Sequence, residues 1–490
     1  MPLYFTFVIA SSKSCFLRKN ILFSLTVTVL FFVSCNAGNG RQDSNNQSGQ
    51  AAAQTFDASL TKGAVTDSMA CRKDASQTYA LYLPSYYNSA KAFPCIYFFD
   101  AHARGSLPVK TYKDIAEKYG FVLVGSDVSQ NGTSWDVTNT GVQALMEDTR
   151  SRINIDAKRI YTAGFSGGAR VACSIAILNG GVAGVIGSAA GFPRVEQPFG
   201  KKFDYFGIVG DYDFNLPEME QLDNALEQNG FTHQLLTSSG IHGWPTAADF
   251  QTGLLWLQIN AVKEHLQPGN DTLLAALKSD FEKRIAEATS AGEWTKAHGL
   301  LVGIIRLLNG LTDVASYTKQ LAGVDNSTGY KEAAAARGPL MQEEMKQQQE
   351  LQQQFPMQGE KWWAEKIKQL DQRAQHAKTT GERQMNKRVL NYLGLVGYMY
   401  TDHALKTGDL TNAAAYLKVF KMADPKNPDC GYLLAVYYSE KGDRNAALTA
   451  LDESISLGFN EVTKLKSDPA FSSIRADAAF KVLLKKAANN

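Results

Sequence analysis

Between residues 70 and 265, short apolar runs bounded by turn residues alternate with amphipathic stretches. That alternation constrains the fold more than any other feature of the chain. The runs fall at 79–83, 95–99, 121–125, 160–164, 182–187, 205–209 and 234–236; the amphipathic stretches include 110–119, 140–152, 168–179 and 217–229. A strand is re-entered in parallel only through a long crossover, usually a helix. The pattern therefore predicts an α/β domain with a mostly parallel sheet and helices on both faces. In such sheets the chemistry sits at the carboxyl ends of the strands.

The run at 160–164 is followed by Gly164-Phe165-Ser166-Gly167-Gly168 and then by helix-forming ARVACSIAIL. This is G-x-S-x-G between a strand and a helix. The turn is so tight that the flanking Gly164 and Gly168 must be nearly side-chain-free, which lifts the serine hydroxyl above the sheet. A serine hydroxyl is a weak nucleophile at neutral pH and needs a base and an orienting acid. Both follow at later strand ends: Gly210-Asp211-Tyr212-Asp213-Phe214-Asn215 after 205–209, and Gly240-Ile241-His242-Gly243-Trp244-Pro245 after 234–236. A single loop Asp or His is more often a solvated surface residue, whereas three matches in order at three strand ends point to catalysis. His242 would take the proton of Ser166 and return it to the leaving group. Asp213, with Asp211 as the fallback, would hold the imidazole.

These residues carry a resemblance to compact α/β-hydrolases of the polyhydroxybutyrate depolymerase and feruloyl esterase-like group. The matching motifs are GFSGG at 164–168, GDYDFN at 210–215 and GIHGWP at 240–245, within about two-fifths of the chain. The resemblance implies an α/β-hydrolase fold and a carboxylic ester hydrolase working through an acyl-enzyme, on feruloyl, acetyl or polyester-type substrates. It also favours Asp213 over Asp211, because hydrolases of this type carry the acid at the third residue after the strand-ending glycine. The oxyanion site would combine the N–H of Gly167 with one from the loop Asp100-Ala101-His102-Ala103-Arg104-Gly105. Ala103 stands there where the group has a glycine and is the candidate donor. His102, Asn131, Trp135 and Trp244 are candidates to line the substrate pocket; for Asn131-Gly132 a plain turn is the competing reading.

Strand signals stop after Trp256, and 267–490 is rich in Ala, Leu, Lys, Gln and Glu. Gly408-Asp409 recurs 34 residues later as Gly442-Asp443, with Tyr398, Ala413 and Leu417 matched by Tyr432, Ala447 and Leu451. This period resembles that of tetratricopeptide repeats, paired helices with small residues at their crossings. Since about three stacked units are normally needed for stability, 267–385 is expected to hold degenerate pairs, one turning at Gly292-Glu293-Trp294. The polar run at 341–354 reads as a polar helix or a linker. Adjacent Trp362 and Trp363 point to different helix faces, which favours core packing over a sugar-stacking pair. The array would offer a surface to a protein or peptide partner, or simply pack against the hydrolase.

At the other end, ILFSLTVTVLFFV (residues 21–33) follows Arg18 and Lys19 as in a secretory signal and is too short for a good transmembrane anchor. Ser34-Cys35 after it resembles a relaxed bacterial lipobox, which implies a lipid on Cys35 and attachment to the outer membrane of a Gram-negative envelope. The following NAGNGRQDSNNQSGQAAAQT has no large apolar residue and reads as a tether. Six cysteines in 490 residues are too few for a disulfide scaffold, and a Cys71–Cys95 bridge competes with buried free thiols. No Cys/His cluster has metal-ligand spacing, and no cofactor is implied. With 50 Lys+Arg against 48 Asp+Glu there is no electrostatic case for a nucleic-acid partner, so any membrane association would run through the lipid.

The layout that follows is a signal over 1–35, a tether over 36–65, an α/β-hydrolase over 66–266, a degenerate helical region over 267–385 and repeats over 386–490. Two other readings share these features. In one, a repeat-type envelope scaffold carries a degenerate hydrolase, though such a module has no physical need for all of Ser166, Asp213 and His242. In the other, a prolyl-oligopeptidase-type peptidase lacks its propeller.

Overall fold

The computed structural model describes residues 56–193 and 202–488; the expected signal, Cys35 and the tether as far as residue 55 lie outside the described residues. Strands β1 (Val65–Ala70), β2 (Thr78–Tyr82), β3 (Phe93–Asp100), β4 (Val122–Ser126), β5 (Ile155–Phe165), β6 (Gly184–Ser188), β7 (Asp204–Gly210) and β8 (His233–Ser238) form one sheet. Its order is β1-β2-β4-β3-β5-β6-β7-β8. Strand β2 runs antiparallel to β1 and β4, and every other pairing is parallel. This is the mostly parallel sheet expected of an α/β-hydrolase.

Two features of the amino-terminal edge depart from the sequence reading. Strand β1 was not expected, because VTDSMA is half-exposed edge backbone with no apolar run to announce it. The segment assigned to the tether up to residue 65 also joins the fold earlier. Asp57 N–H donates to the Arg152 carbonyl at 2.9 Å and Gly63 N–H to the Leu83 carbonyl at 2.8 Å, while Leu60 packs against the core. Phe56 and Leu60 are the large apolar residues that 36–55 lacks, and they give this stretch something to bury.

Period-2 alternation divides the strands between two apolar layers. On one face Ile96, Phe98, Leu123, Tyr161 and Phe206 pack against α1 (Ser106–Tyr119) and α5 (Ala247–Lys263). On the other, Cys95, Tyr97, Phe99, Val124 and Tyr205 meet α2 (Trp135–Arg152), α3 (Gly167–Ser174, extended by a π turn to Asn179) and α4 (Leu216–Gln228). Cys71, Cys95, Cys173 and Cys430 are all free and buried, so Cys71 and Cys95 form no bridge.

The first apolar layer does not stop at residue 266. It continues through Leu277, Phe281, Leu300, Ile304 and Tyr317 on α6 (Asp271–Ser290), α7 (Trp294–Leu308) and α8 (Ala315–Asn326). The Gly292 turn between α6 and α7 adopts φ +69°, as a helix stop of this kind requires. Beyond lie α9 (Thr328–Gln354), α10 (Glu360–Gln375), α11 (Thr380–Lys406), α12 (Leu410–Ala423), α13 (Pro428–Glu440), α14 (Arg444–Ser456), α15 (Val462–Ser467) and α16 (Ala478–Ala488). The polar run at 341–354 is part of α9, so the helix alternative holds. Trp363 is fully buried against Phe355, whereas Trp362 is partly exposed.

The 34-residue recurrence has a local physical basis. Gly408 and Gly442 take φ +74° and +76° at the ends of α11 and α13, a region that favours glycine. Asp409 and Asp443 then cap α12 and α14, accepting from Asn412 N–H at 3.0 Å and Ala446 N–H at 3.1 Å. Ala413 and Ala447 are completely buried where paired helices meet.

Candidate active site

Strand β5 delivers Ser166 at its carboxyl end, where the serine holds φ 53° and ψ −121° before α3 begins. Such a backbone is costly for a non-glycine residue and persists only where its surroundings enforce it. They do so through both glycines. A Cβ on Gly164 would lie 2.2 Å from the Gly168 carbonyl oxygen, and one on Gly168 would lie 2.0 Å from that of Phe99. Backbone on backbone leaves nothing to rotate away.

The strand ends after β7 and β8 bring the other two candidates to this serine. His242 Nε2 lies 3.0 Å from Ser166 Oγ, and its Nδ1 lies 3.0 Å from each oxygen of Asp213. Asp213 is completely buried, and one of its oxygens also accepts the Asn215 N–H at 2.8 Å. The imidazole is packed between Phe214, with ring centroids 4.3 Å apart, and Phe165 at 4.8 Å. Asp211 is not at the histidine. It accepts the Gly240 N–H at 3.0 Å and so braces the histidine loop against the acid turn, while burial pushes its carboxyl up. A serine bonded to an imidazole that is itself bonded to a buried carboxylate can pass a proton away from the hydroxyl as the hydroxyl attacks.

The loop after β3 is organised by Asp100, which the sequence reading passed over. Its buried carboxylate is gripped by Arg104, Nε–Oδ1 2.8 Å and Nη2–Oδ2 3.0 Å, and also accepts the His102 N–H and the Trp244 indole N–H at 2.7 Å. Burial alone would raise its pKa, but the Arg104 bond and charge outweigh it and hold the carboxyl below the usual range. The sequence signal was available: an acid at the very end of a fully buried strand needs a cation, and Arg104 stands four residues on.

Several expected site residues are corrected by this network. Ala103 sits at φ 59°, but its N–H donates to the Asp100 carbonyl at 3.2 Å, closing the loop on itself. His102 pairs its Nδ1 with Glu461 Oε1 at 2.9 Å, so its ring serves the junction with the helical array. Trp244 is held by Asp100 and packed near Phe98, Tyr112 and Phe165, which makes it a strut of the histidine loop. Trp135 opens α2 and packs onto the core of that face. Two candidates stay beside Ser166. Gly167 is the first residue of α3, where a helix N–H has no intrahelical acceptor. The Asn131 side chain lies against it, with Oδ1 1.7 Å from where a Gly167 Cβ would stand. Asn131 N–H bonds the Ala101 carbonyl at 2.8 Å, so its turn is also pinned to the β3 loop.

The helical array touches both sides of this site. Glu461, at the start of α15, is buried against His102 and lies 3.8 Å from Arg104. On the acid side Tyr392 of α11 meets Phe214 edge-on at 5.9 Å. Among the described residues, no group of three or more His, Cys, Asp or Glu is placed to hold a metal ion, and no helix is long and apolar enough to cross a membrane.

No family model matches the chain, and no curated protein sequence matches it. Solved structures do. The chain is similar to an S-formylglutathione hydrolase from Staphylococcus aureus at 14% identity, covering 37% of this chain and 90% of that one, with a TM-score of 0.31. It is also similar to a feruloyl esterase module from Clostridium thermocellum complexed with sinapinate, at 14% identity over 39% and 85% of the two chains with a TM-score of 0.33. A carbohydrate esterase from gut microbiota matches at 16% identity over 41% and 99%, with a TM-score of 0.34.

Proposed function

We propose that this chain is a serine esterase that cleaves carboxylic esters through an acyl-enzyme on Ser166. The observation that carries the reading is the unbroken line from Ser166 Oγ through His242 to buried Asp213, each step 3.0 Å, on a strained turn that presents the serine. His242 Nε2 takes the hydroxyl proton as Oγ attacks the ester carbonyl, and the Gly167 N–H stabilises the developing oxyanion. The tetrahedral intermediate collapses, the C–O bond breaks, and imidazolium returns the proton to the departing alcohol. Water, activated by the same histidine, then hydrolyses the acyl-enzyme. Feruloyl, acetyl and polyester-type esters are the substrate classes this reading favours.

The same proposal includes export, a lipid anchor on Cys35, and a tetratricopeptide-like array. Support for the array comes from the matched glycine turns at 408 and 442 and the matched aspartate caps at 409 and 443. A peptide or protein partner on its free surface belongs to the proposal as well.

The test is hydrolysis of short p-nitrophenyl esters and methyl ferulate beside Ser166→Ala. Wild type should turn over and be labelled by a fluorophosphonate probe, and the variant should lose at least about 1,000-fold in kcat/KM with its melting temperature unchanged. Equal inertness of both proteins, with no labelling at Ser166, overturns the reading. For the anchor, Cys35→Ser should release the protein from membranes, and unchanged membrane association refutes that part alone.

A further inference from the structure

The turn 211–214, which carries Asp213, is held from two directions. Its N–H groups are tied to the hydrolase body: Tyr212 N–H donates to the Gly240 carbonyl at 2.9 Å and Asp213 N–H to that of Gly210 at 3.1 Å. Asn215, just beyond, reaches the Ala189 carbonyl through its amide at 2.8 Å. The Asp213 carbonyl accepts the Leu216 N–H at 3.0 Å, and the other three carbonyls face the array. Arg388 Nη1 donates to the Asp211 carbonyl at 2.8 Å, Asn391 Nδ2 to the Tyr212 carbonyl at 2.8 Å, and Gln348 Nε2 to the Phe214 carbonyl at 3.1 Å. All three donors come from α9 and α11, more than 130 residues away in sequence.

The array braces its own donors before offering them. Arg388 is clamped by Glu344 of α9, Nε–Oε1 2.8 Å and Nη2–Oε2 2.7 Å, and both residues are buried. A guanidinium fixed in that fork has little freedom left to lose when it bonds the carbonyl. Tyr392, one residue after Asn391, meets the Phe214 ring, and the Phe214 ring stacks on His242. The contacts therefore bear on the backbone on both sides of Asp213 and on the aromatic floor of its histidine. A catalytic pair must be held to about half an ångström, and a turn whose carbonyls lost these donors would not be.

We propose that Arg388, Asn391 and Gln348 of the helical array are positioning residues for the Asp213–His242 pair, so that the array is a working part of the active site and not only a spacer or partner platform. The proposal rests on the esterase reading, but its test can be read without turnover.

Asn391→Ala and Gln348→Ala, made in the full chain, leave the Arg388–Glu344 pair intact and are the informative variants; Arg388→Met accompanies them and is the one that stands to unfold. With a p-nitrophenyl ester, each of the first two should lower kcat by about 3- to 10-fold with KM within about twofold, the effect of one hydrogen bond. The rate of fluorophosphonate labelling should fall in step. The resting protein is expected to give a downfield proton resonance from His242 Nδ1–H bonded to Asp213, and both variants should shift or broaden it. An unchanged resonance together with kcat or labelling within twofold of wild type overturns the positioning role. A wild type that neither turns over nor labels would refute the esterase reading instead, and the resonance alone would then decide whether α9 and α11 hold the pair.

Discussion

The sheet domain and the helical array both bury glycines at close approaches, yet what the glycines meet differs. In the sheet domain, Gly164 and Gly168 stand against main-chain oxygens at the Ser166 turn. In the array, Gly431 of α13 faces Ser454 on α14 less tightly, its Cβ position 2.8 Å from the Ser454 Cβ and 3.0 and 3.1 Å from its Cα and N. Backbone pinned on both sides by strands cannot retreat, whereas paired helices can slide. The sheet domain thus holds unyielding positions at the Ser166 turn and again where Gly105 and Gly125 meet, their Cβ positions 2.3 and 2.0 Å from each other's carbonyl oxygens, while the array spreads modest constraints along a period.

One methyl group separates the two regimes. Gly168→Ala should cost about 4 kcal/mol or more, enough to abolish soluble expression or the cooperative transition. Gly431→Ala should cost about 1–3 kcal/mol and leave ester hydrolysis nearly intact, as overpacking usually does. Denaturant midpoints of both variants check this; equal losses would show that the array is as rigid as the sheet.

Acid and base divide the regions next. Asp204, at the start of β7, has its carboxyl pushed up to about 8 by burial, with the Glu264 charge adding to the effect. Its folded pKa lies above the ordinary 3.8, so the fold retains a proton the unfolded chain releases, and stability falls as pH rises from 3.8 to about 8. Glu461 in the array behaves oppositely. Burial favours a higher pKa, but the His102 bond and the Lys464 and Arg104 charges win and hold it below 4.5, so its contribution is lost as pH falls below that value. Unfolding midpoints against pH should lose their decline between pH 3.8 and about 8 in Asp204→Asn and part of their acid slope in Glu461→Gln. A crossed pattern would contradict both assignments.

The smallest effect is expected on the array's outer face. Trp362 is 38% exposed, and Trp362→Ala should change stability by less than about 1 kcal/mol and ester kinetics not at all. A raised KM for a polysaccharide-linked ester in this variant alone would revive the sugar-stacking alternative.

Much of the sheet domain was legible because its signals are local. Strand runs, crossover helices and the glycines flanking Ser166 are each written within a dozen residues, and the order of serine, acid and histidine needs only the chain. Strand β1 escaped because an exposed edge carries no apolar run. The serine, acid and histidine of the candidate site could be named from the sequence, and its supports less so. Ala103 and His102 were assigned from a motif position, but Asp100 and Glu461 claim the N–H of His102 and its ring, while Ala103 N–H turns back on the Asp100 carbonyl. Nothing near residue 103 announces a glutamate at 461.

By itself the sequence determined the alternating α/β domain, the tight turn at Ser166 with an acid and a histidine at later strand ends, and a helical region with a 34-residue echo. Periodicity and backbone sterics act between near neighbours, so a linear reading captures them. Only the tertiary structure decided that α6–α8 extend the sheet's own apolar layer, that a Gln-rich polar run buries Glu344 against Arg388, and that three side chains of the array reach the carbonyls around Asp213. Those are pairings between groups that satisfy one another only when two distant surfaces meet, and a buried donor finds its acceptor by the geometry of that meeting.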